Sequence, residues 1–142
     1  MTFALATIRD NGYPSAAIEV AGSWYLLAQT APHLLAPTPS RGLMNVFGHW
    51  TERAPALKKL ADALRSGIAE AAPVPAPGAE DFLTPLQYPT KVVLMGANYY
   101  DHMAKDVPAL GPFKKDEKIP TLFFKPPTTT LVGCGKSVRY PS

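Results

Sequence analysis

Short apolar runs, each closed by a turn signal, dominate the first thirty residues. "FALATIRD", "SAAIEV" and "SWYLL" are separated by Asn11-Gly12 and by Ala21-Gly22. An Asn-Gly pair favours the positive φ angles of a two-residue hairpin turn, so this pattern predicts a β-meander. Between residues 30 and 48 the periodicity disappears, and Pro32, Pro37 and Pro39 predict an irregular stretch. From about Ala54 to Leu64 the period changes again. Leu57, Leu60, Leu64 and Ile68 recur at spacings of three and four, which is one apolar stripe of a helix. Pro55 is tolerable there in the first turn, and Gly67 weakens or ends the element. The segment "AAPVPAPGAED", residues 71–81, is rich in Pro, Ala and Gly and reads as a semi-extended linker. Beyond it, the run Lys91-Val92-Val93-Leu94-Met95 ends in Gly96 and predicts a strand buried on both faces. "TLFFK" predicts a second strand stopping at Pro126-Pro127, and "TTTLVGCG" and "KSVRY" predict short strands around a Gly turn.

These elements give an α+β chain, mainly β. A small N-terminal domain, with a β-meander and a helix, takes residues 1–70. Residues 71–86 form a linker, and a second domain opens at 87 and runs to 142. Two or three strands cannot bury both faces of a sheet by themselves. The second domain is therefore expected to be incomplete in this chain, its remainder following Ser142 or lying on another chain.

Composition narrows the function classes. The chain has 142 residues, 46% hydrophobic and 18% charged, and a mean hydropathy of -0.02, which suits one modest globular domain or a small domain plus part of another. No apolar run is long enough to span a bilayer, and "MTFALATIRDNG" lacks the basic and apolar regions of a cleaved signal peptide. The single cysteine, Cys134, excludes an internal disulfide framework and fits a reducing, cytoplasmic compartment. A formal charge of +3 is mild. The lysines of "FKKDEK" are interrupted by Asp116 and Glu117 and have no interleaved aromatics, which argues against nucleic acid as a partner. The same weak positive field suits a small anionic substrate. Sixteen prolines and ten glycines imply many turns and short strands rather than a helical bundle.

The residues with the most chemistry follow the run that ends at Gly96, in "MGANYYDHMAKD". His102 lies shortly after the strand end, and imidazole is the side chain best matched to proton transfer near neutral pH. Asp101 cannot easily bond its neighbour's ring. Asp106, four residues beyond His102, reaches it if the segment makes a helical turn. Lys125, at the end of "TLFFK", brings a cation to the same rim if the two strands pair. A histidine, a lysine and carboxylates at adjacent strand ends make a site for an anionic carbonyl compound. The bland readings stand beside this one. A histidine among aromatics is often a packed or capping residue, Tyr99 and Tyr100 read as packing residues, and Lys125 alone reads as a solvated strand end. His33 and His49 read as structural or exposed, Trp24 and Trp50 as packing anchors, and Cys134 shows no activating neighbour. GxGxxG, a Walker loop, HExxH, CxxC and GxSxG are all absent.

Taken together, "YPTKVVLMGANYYDHMAKD" and "IPTLFFKPPTTTLVGCGKSVRYP" resemble the fumarylacetoacetate hydrolase superfamily. The catalytic domain of that family opens with a pattern close to P-x-K-I-x-x-x-G-x-N-Y-x-D-H, followed by a lid, P-x-x-F-x-K-P, a Gly-containing turn and I-x-x-P. Pro89, Lys91, Gly96, Asn98, Tyr99, Asp101, His102, Pro120, Phe123, Lys125, Pro126, Gly133 and Pro141 match in order. "YPSAAIEVAGSWYLL" and "PALKKLADAL" are more loosely similar to the meander and helix of the family's small N-terminal domain. The resemblance implies a mixed β-roll catalytic domain, usually dimeric, and an enzyme that hydrolyses, decarboxylates or isomerises a small 2-oxo or 1,3-diketo acid in the catabolism of aromatic compounds or sugars. It implies a divalent cation, Mg²⁺ or else Mn²⁺ or Ca²⁺, that chelates the substrate and stabilises an enolate. It implies His102 as general base or proton shuttle and Lys125 near the substrate's carboxylate; Asp106 is a further catalytic candidate beside His102, and Asn98, Tyr99 and Lys105 are candidates at the substrate.

Two departures from the family pattern matter. Many relatives carry Glu three residues after the histidine, where this chain has Lys105. A lysine cannot orient the imidazole or accept its proton, so Asp106 or a lid carboxylate such as Glu117 substitutes, or the chemistry differs from hydrolysis. The metal ligands that the resemblance implies, an E-x-E pair and a later Asp, fall beyond Ser142. Residues 1–142 alone are then expected to be inactive, with the remainder of the catalytic domain as a necessary partner. Two further readings stay open: a non-catalytic homologue serving as a binding or assembly subunit, and an unrelated small β-rich binding domain.

Overall fold

The two hairpins form as the turn residues dictate. In a computed structural model of the chain, which describes residues 2–35, 42–96, 98–101, 119 and 121–139, Asn11 and Gly12 both take positive φ (47° and 82°), and Asp10 pairs with Tyr13 across the turn. Ala21 and Gly22 repeat the device (φ 53° and 84°), and the Glu19 carboxylate accepts a hydrogen bond from the Gly22 N–H. Loops of two residues with both φ positive match the right-handed twist of the flanking strands. They join β1 (Ala4–Asp10), β2 (Tyr13–Val20) and β3 (Ser23–Leu26) into an antiparallel sheet of order β1-β2-β3. The fold is thus mixed α/β with antiparallel sheets, as expected at that coarser level.

The chain divides into two units, Met1–Tyr88 with Leu131–Ser142, and Pro89–Thr130. In the first, side chains alternate across the central strand β2. Ala16, Ile18 and Val20 face a helical layer, and Ala17 faces the opposite side with Ile8 and Leu26. β3 gives way at Leu27, the last residue of "SWYLL", to α1 (Leu27–Thr30), and the described part of the stretch expected to be irregular, residues 30–48, holds a 3-10 turn at Pro32–Leu34 and α2 (Met44–Gly48). Their buried residues, Leu27, Leu34 and Val46, explain these short helices. A single turn is stabilised by burying one or two side chains, which leaves no periodicity to read.

The long helix, α3 (Trp50–Arg65), starts before Ala54, so Pro55 sits past its first turn. The His49 carbonyl accepts N–H bonds from Glu52 and Arg53, and Trp50 packs on Phe47 at 5.3 Å between ring centroids. These contacts fix the extra residues, and Pro55 forfeits one bond on the exposed side. Leu57, Ala61 and Leu64 form the buried stripe, with Leu60 packed at its margin. Ile68 does not belong to it; it lies beyond the helix and is 79% exposed. Gly67 N–H bonds to the Leu64 carbonyl and Ile68 N–H to the Ala63 carbonyl, the two bonds of a Schellman ending.

Residues 71–86 run against the other side of the sheet. Val74 pairs with Trp24 at the β3 edge and Phe82 with Ile8 at the β1 edge. The Trp24 and Phe82 rings meet edge to face at 5.5 Å. Thr7, 1% exposed, ties three segments together. Its Oγ1 donates to the Pro85 carbonyl (2.7 Å) and accepts from the Leu43 N–H (3.2 Å), while its own carbonyl accepts from Leu83 N–H (3.0 Å). Gly42 allows the approach, because a Cβ there would stand 3.1 Å from the Thr7 side chain.

Residues 131–139, expected to hold short strands, form none. Their backbone makes a turn at Gly135 (φ 69°), with Lys136 N–H bonded to the Gly133 carbonyl. No helix among the described residues is long and apolar enough to cross a membrane.

Removing the Thr7 hydroxyl leaves the buried Leu43 N–H without its partner, at about 1–3 kcal/mol, and takes a bond from the part-buried Pro85 carbonyl. Thr7→Val is therefore expected to destabilise the protein by about 2 kcal/mol or more in urea unfolding, and Thr7→Ser by clearly less. Equal losses for the two variants would refute the hydrogen-bonding role.

Candidate functional site

The second unit is built on an antiparallel ribbon. β4 (Val92–Gly96) pairs with β5 (Thr121–Lys125) in the register Val92↔Lys125, Leu94↔Phe123 and Gly96↔Thr121. The two apolar runs thus meet the condition, left open by the sequence, that their strands pair. The expected burial of β4 on both faces is not found, since Val93 and Met95 are each 50% exposed. Among the described residues the two strands carry no second layer, and alternate side chains stay in solvent. Val93, Met95, Leu122 and Phe124 occupy one face, and Val92, Leu94, Gly96, Thr121, Phe123 and Lys125 the other.

Strand polarity decides where the candidate residues stand. Asn98, Tyr99, Tyr100 and Asp101 follow the C-terminal end of β4. Lys125 ends β5 and is opposite Val92, the first residue of β4. Antiparallel pairing sets the end of one strand beside the start of the other. Lys125 is thus at the far end of the ribbon from Asn98, on the same face as Gly96 but about 13 Å along it, at ~3.3 Å per residue. The expectation of a shared rim at adjacent strand ends does not hold for the backbone positions. Pro126 lacks an N–H and ends the ladder, and the Thr130 hydroxyl donates to its carbonyl (2.6 Å), closing the turn that follows.

Asn98 is half-buried, while Tyr99 and Tyr100, read as packing residues, are 75% and 57% exposed. His102, Lys105 and Asp106, together with Glu117 and Pro120, lie outside the described residues. Gly96 has no packing reason to lack a side chain, because a Cβ would meet Phe123 and Thr121 at ordinary distances of 3.5 and 3.7 Å. Gly133, in the first unit, differs: a Cβ there would come within 3.1 Å of the Phe82 carbonyl.

Among the described residues no group of three or more His, Cys, Asp or Glu side chains is arranged to hold a metal ion. His33 and His49 are exposed, Trp24 packs as an anchor, and Trp50 packs while staying partly exposed.

The first unit contributes an apolar cleft of about 350 Å³ that sequence reasoning missed. Leu5, Trp24, Phe82, Pro85, Val132 and Cys134 are among its walls, and the Cys134 thiol is free and exposed. Four segments distant in sequence meet there, and no local pattern encodes such a meeting. Comparison with known protein families, curated proteins and solved structures gives no match.

Because ordinary packing surrounds Gly96 in the ribbon, Gly96→Ala is expected to change unfolding free energy by less than about 1 kcal/mol, and in the stabilising direction if strand entropy dominates. Chemical denaturation monitored by circular dichroism checks this. A loss of several kcal/mol would mean that the backbone at Gly96 is constrained by something other than β5.

Proposed function

We propose that the chain is the N-terminal portion of a fumarylacetoacetate hydrolase-like enzyme acting on a small 2-oxo or 1,3-diketo carboxylic acid. The observation that carries the reading is a pairing. The P-x-K…G-x-N-Y-x-D-H half and the P-x-x-F-x-K-P half of the motif, far apart in sequence, supply the adjacent strands β4 and β5. His102 acts in this reading as general base or proton shuttle, with Asp106 taking the orienting role that Lys105 cannot fill. Asn98, Tyr99 and Lys105 contact substrate from the end of β4. Lys125 meets the substrate's carboxylate from the other end of the same face, which requires its side chain to reach along the ribbon. The reaction needs a divalent cation, Mg²⁺ first, which when bound neutralises charge developing on an enolate. In this reading its ligands, the E-x-E pair and later Asp of the family pattern, belong to the remainder of the catalytic domain. The enzyme is read as cytoplasmic and homodimeric.

Lys105 favours a second reading, a non-catalytic homologue that binds an oxo-acid or assists assembly. The two readings separate on one experiment. The full-length protein is assayed with a panel of acylpyruvates and related 2-oxo acids, with Mg²⁺ titrated, beside His102→Ala. The enzyme reading expects Mg²⁺-dependent turnover that falls by about 100-fold or more in the variant, the usual scale for a lost general base. Turnover equal to that of the parent would remove His102 from the mechanism. Saturable binding without turnover would favour the non-catalytic homologue.

A further inference from the structure

Residues 74–83 bind both edges of the three-stranded sheet at once. At the β3 edge, Val74 N–H donates to the Trp24 carbonyl (2.8 Å). At the β1 edge, Arg9 N–H donates to the Asp81 carbonyl (2.8 Å) and Leu83 N–H to the Thr7 carbonyl (3.0 Å). An unpaired sheet edge is a template for another strand, and proteins cover such edges with charges, prolines or crossing segments. Here one crossing segment covers two edges. Pro73, Pro75 and Pro77 leave it few N–H groups, and that of Val74 is spent on Trp24, so its outer side is a poor ladder in turn.

The crossing is nearly taut. Its anchors flank three strands, so they stand four strand spacings apart, about 19 Å at ~4.8 Å each. The eight residue steps from Val74 to Phe82 reach about 26 Å when fully extended, and the turn closed by Asp81 N–H on the Gly78 carbonyl shortens that. The layer it makes is thin. Only Ile8, Ala17 and Leu26 are fully buried in that cluster, and a cleft of about 200 Å³ remains between Ile8 and Leu26 on one side and Val74, Pro75 and Pro77 on the other. A short, lightly packed connection with little slack couples its ends: freeing one anchor widens the positions open to the other.

We propose that residues 74–83 form a strap guarding both edges of the sheet as one cooperative unit, and that what it excludes is the edge of a second copy of this chain. The identical β1 edge of another molecule is self-complementary in antiparallel register, so edge pairing between copies needs no other partner. This guarding is independent of the enzymatic reading above.

The test compares Val74→Pro, which deletes the donor at the β3 edge, with the unaltered chain by amide hydrogen exchange and sedimentation velocity. A cooperative guard predicts exchange at least about 10-fold faster at Arg9 and Leu83, on the opposite edge, with Ile18 in the core unchanged. It also predicts self-association at protein concentrations where the unaltered chain shows none. Unchanged exchange at Arg9 and Leu83, or unchanged association, overturns the proposal. If Ile18 exchange also rises because the variant unfolds, the double variant Pro75→Gly/Pro77→Gly decides. It keeps every anchor, slackens the connection between them, and is expected to move both readouts in the same direction. No effect in that variant is equally fatal.

Discussion

The Thr7 hydroxyl is the point on which the first unit turns. Among the described residues it is the buried polar side chain, and it both donates to Pro85 and accepts from Leu43, under Gly42. A buried hydroxyl is costly unless its partners are held in place. Thr7 therefore ties the helical layer, which begins again at Leu43, to the crossing segment that ends at Pro85, through one residue of the edge strand. The Leu83–Thr7 bond continues the same tie along the backbone. Apolar burial of Ile18, Leu27 and Leu57 supplies the drive to compact. It does not say which loop lies where, and the hydroxyl does.

That division of labour separates the two sheets. The three-stranded sheet is closed on both faces, by helices on one side and residues 71–86 on the other, and its edges carry partners. The β4–β5 ribbon has neither among the described residues, and Leu122 and Phe124 remain more than half exposed. Both sheets are made of equally apolar runs. The difference comes from what the neighbouring sequence provides: a helix and a proline-rich crossing in the first case, a single paired strand in the second.

This also explains what was legible in advance. The hairpins were readable because Asn11-Gly12 and Ala21-Gly22 mark tight turns locally, and α3 was readable because Leu57, Leu60 and Leu64 recur at spacings of three and four, although the residue buried between Leu57 and Leu64 is Ala61. The start of α3 was not, since it depends on the His49 carbonyl and on the Phe47–Trp50 ring contact rather than on any capping side chain. Nor were α1 and α2, whose one or two turns are fixed by tertiary burial. The stripe overran to Ile68 because spacing continues through a Schellman turn while the helix does not. Residues 71–86 show the same limit from the other side. Proline and alanine content gives an extended conformation, and only the three-dimensional positions of Trp24 and Ile8 show what it pairs with.

The candidate site was legible as composition and not as geometry. "GANYYDH" and "FFKPP" identify side chains suited to an anionic carbonyl compound, but the pairing of their strands stood only as a condition until the structure showed it. What composition omits is direction. Because the ribbon is antiparallel, Lys125 is opposite Val92 and Asn98 follows Gly96, so the cation and the polar cluster begin from opposite ends of one face. Leu94 and Phe123 pair between those two ends, so the stretch that separates them is apolar. Strand polarity, a property no single motif residue carries, thus decides which candidate side chains start from the same place.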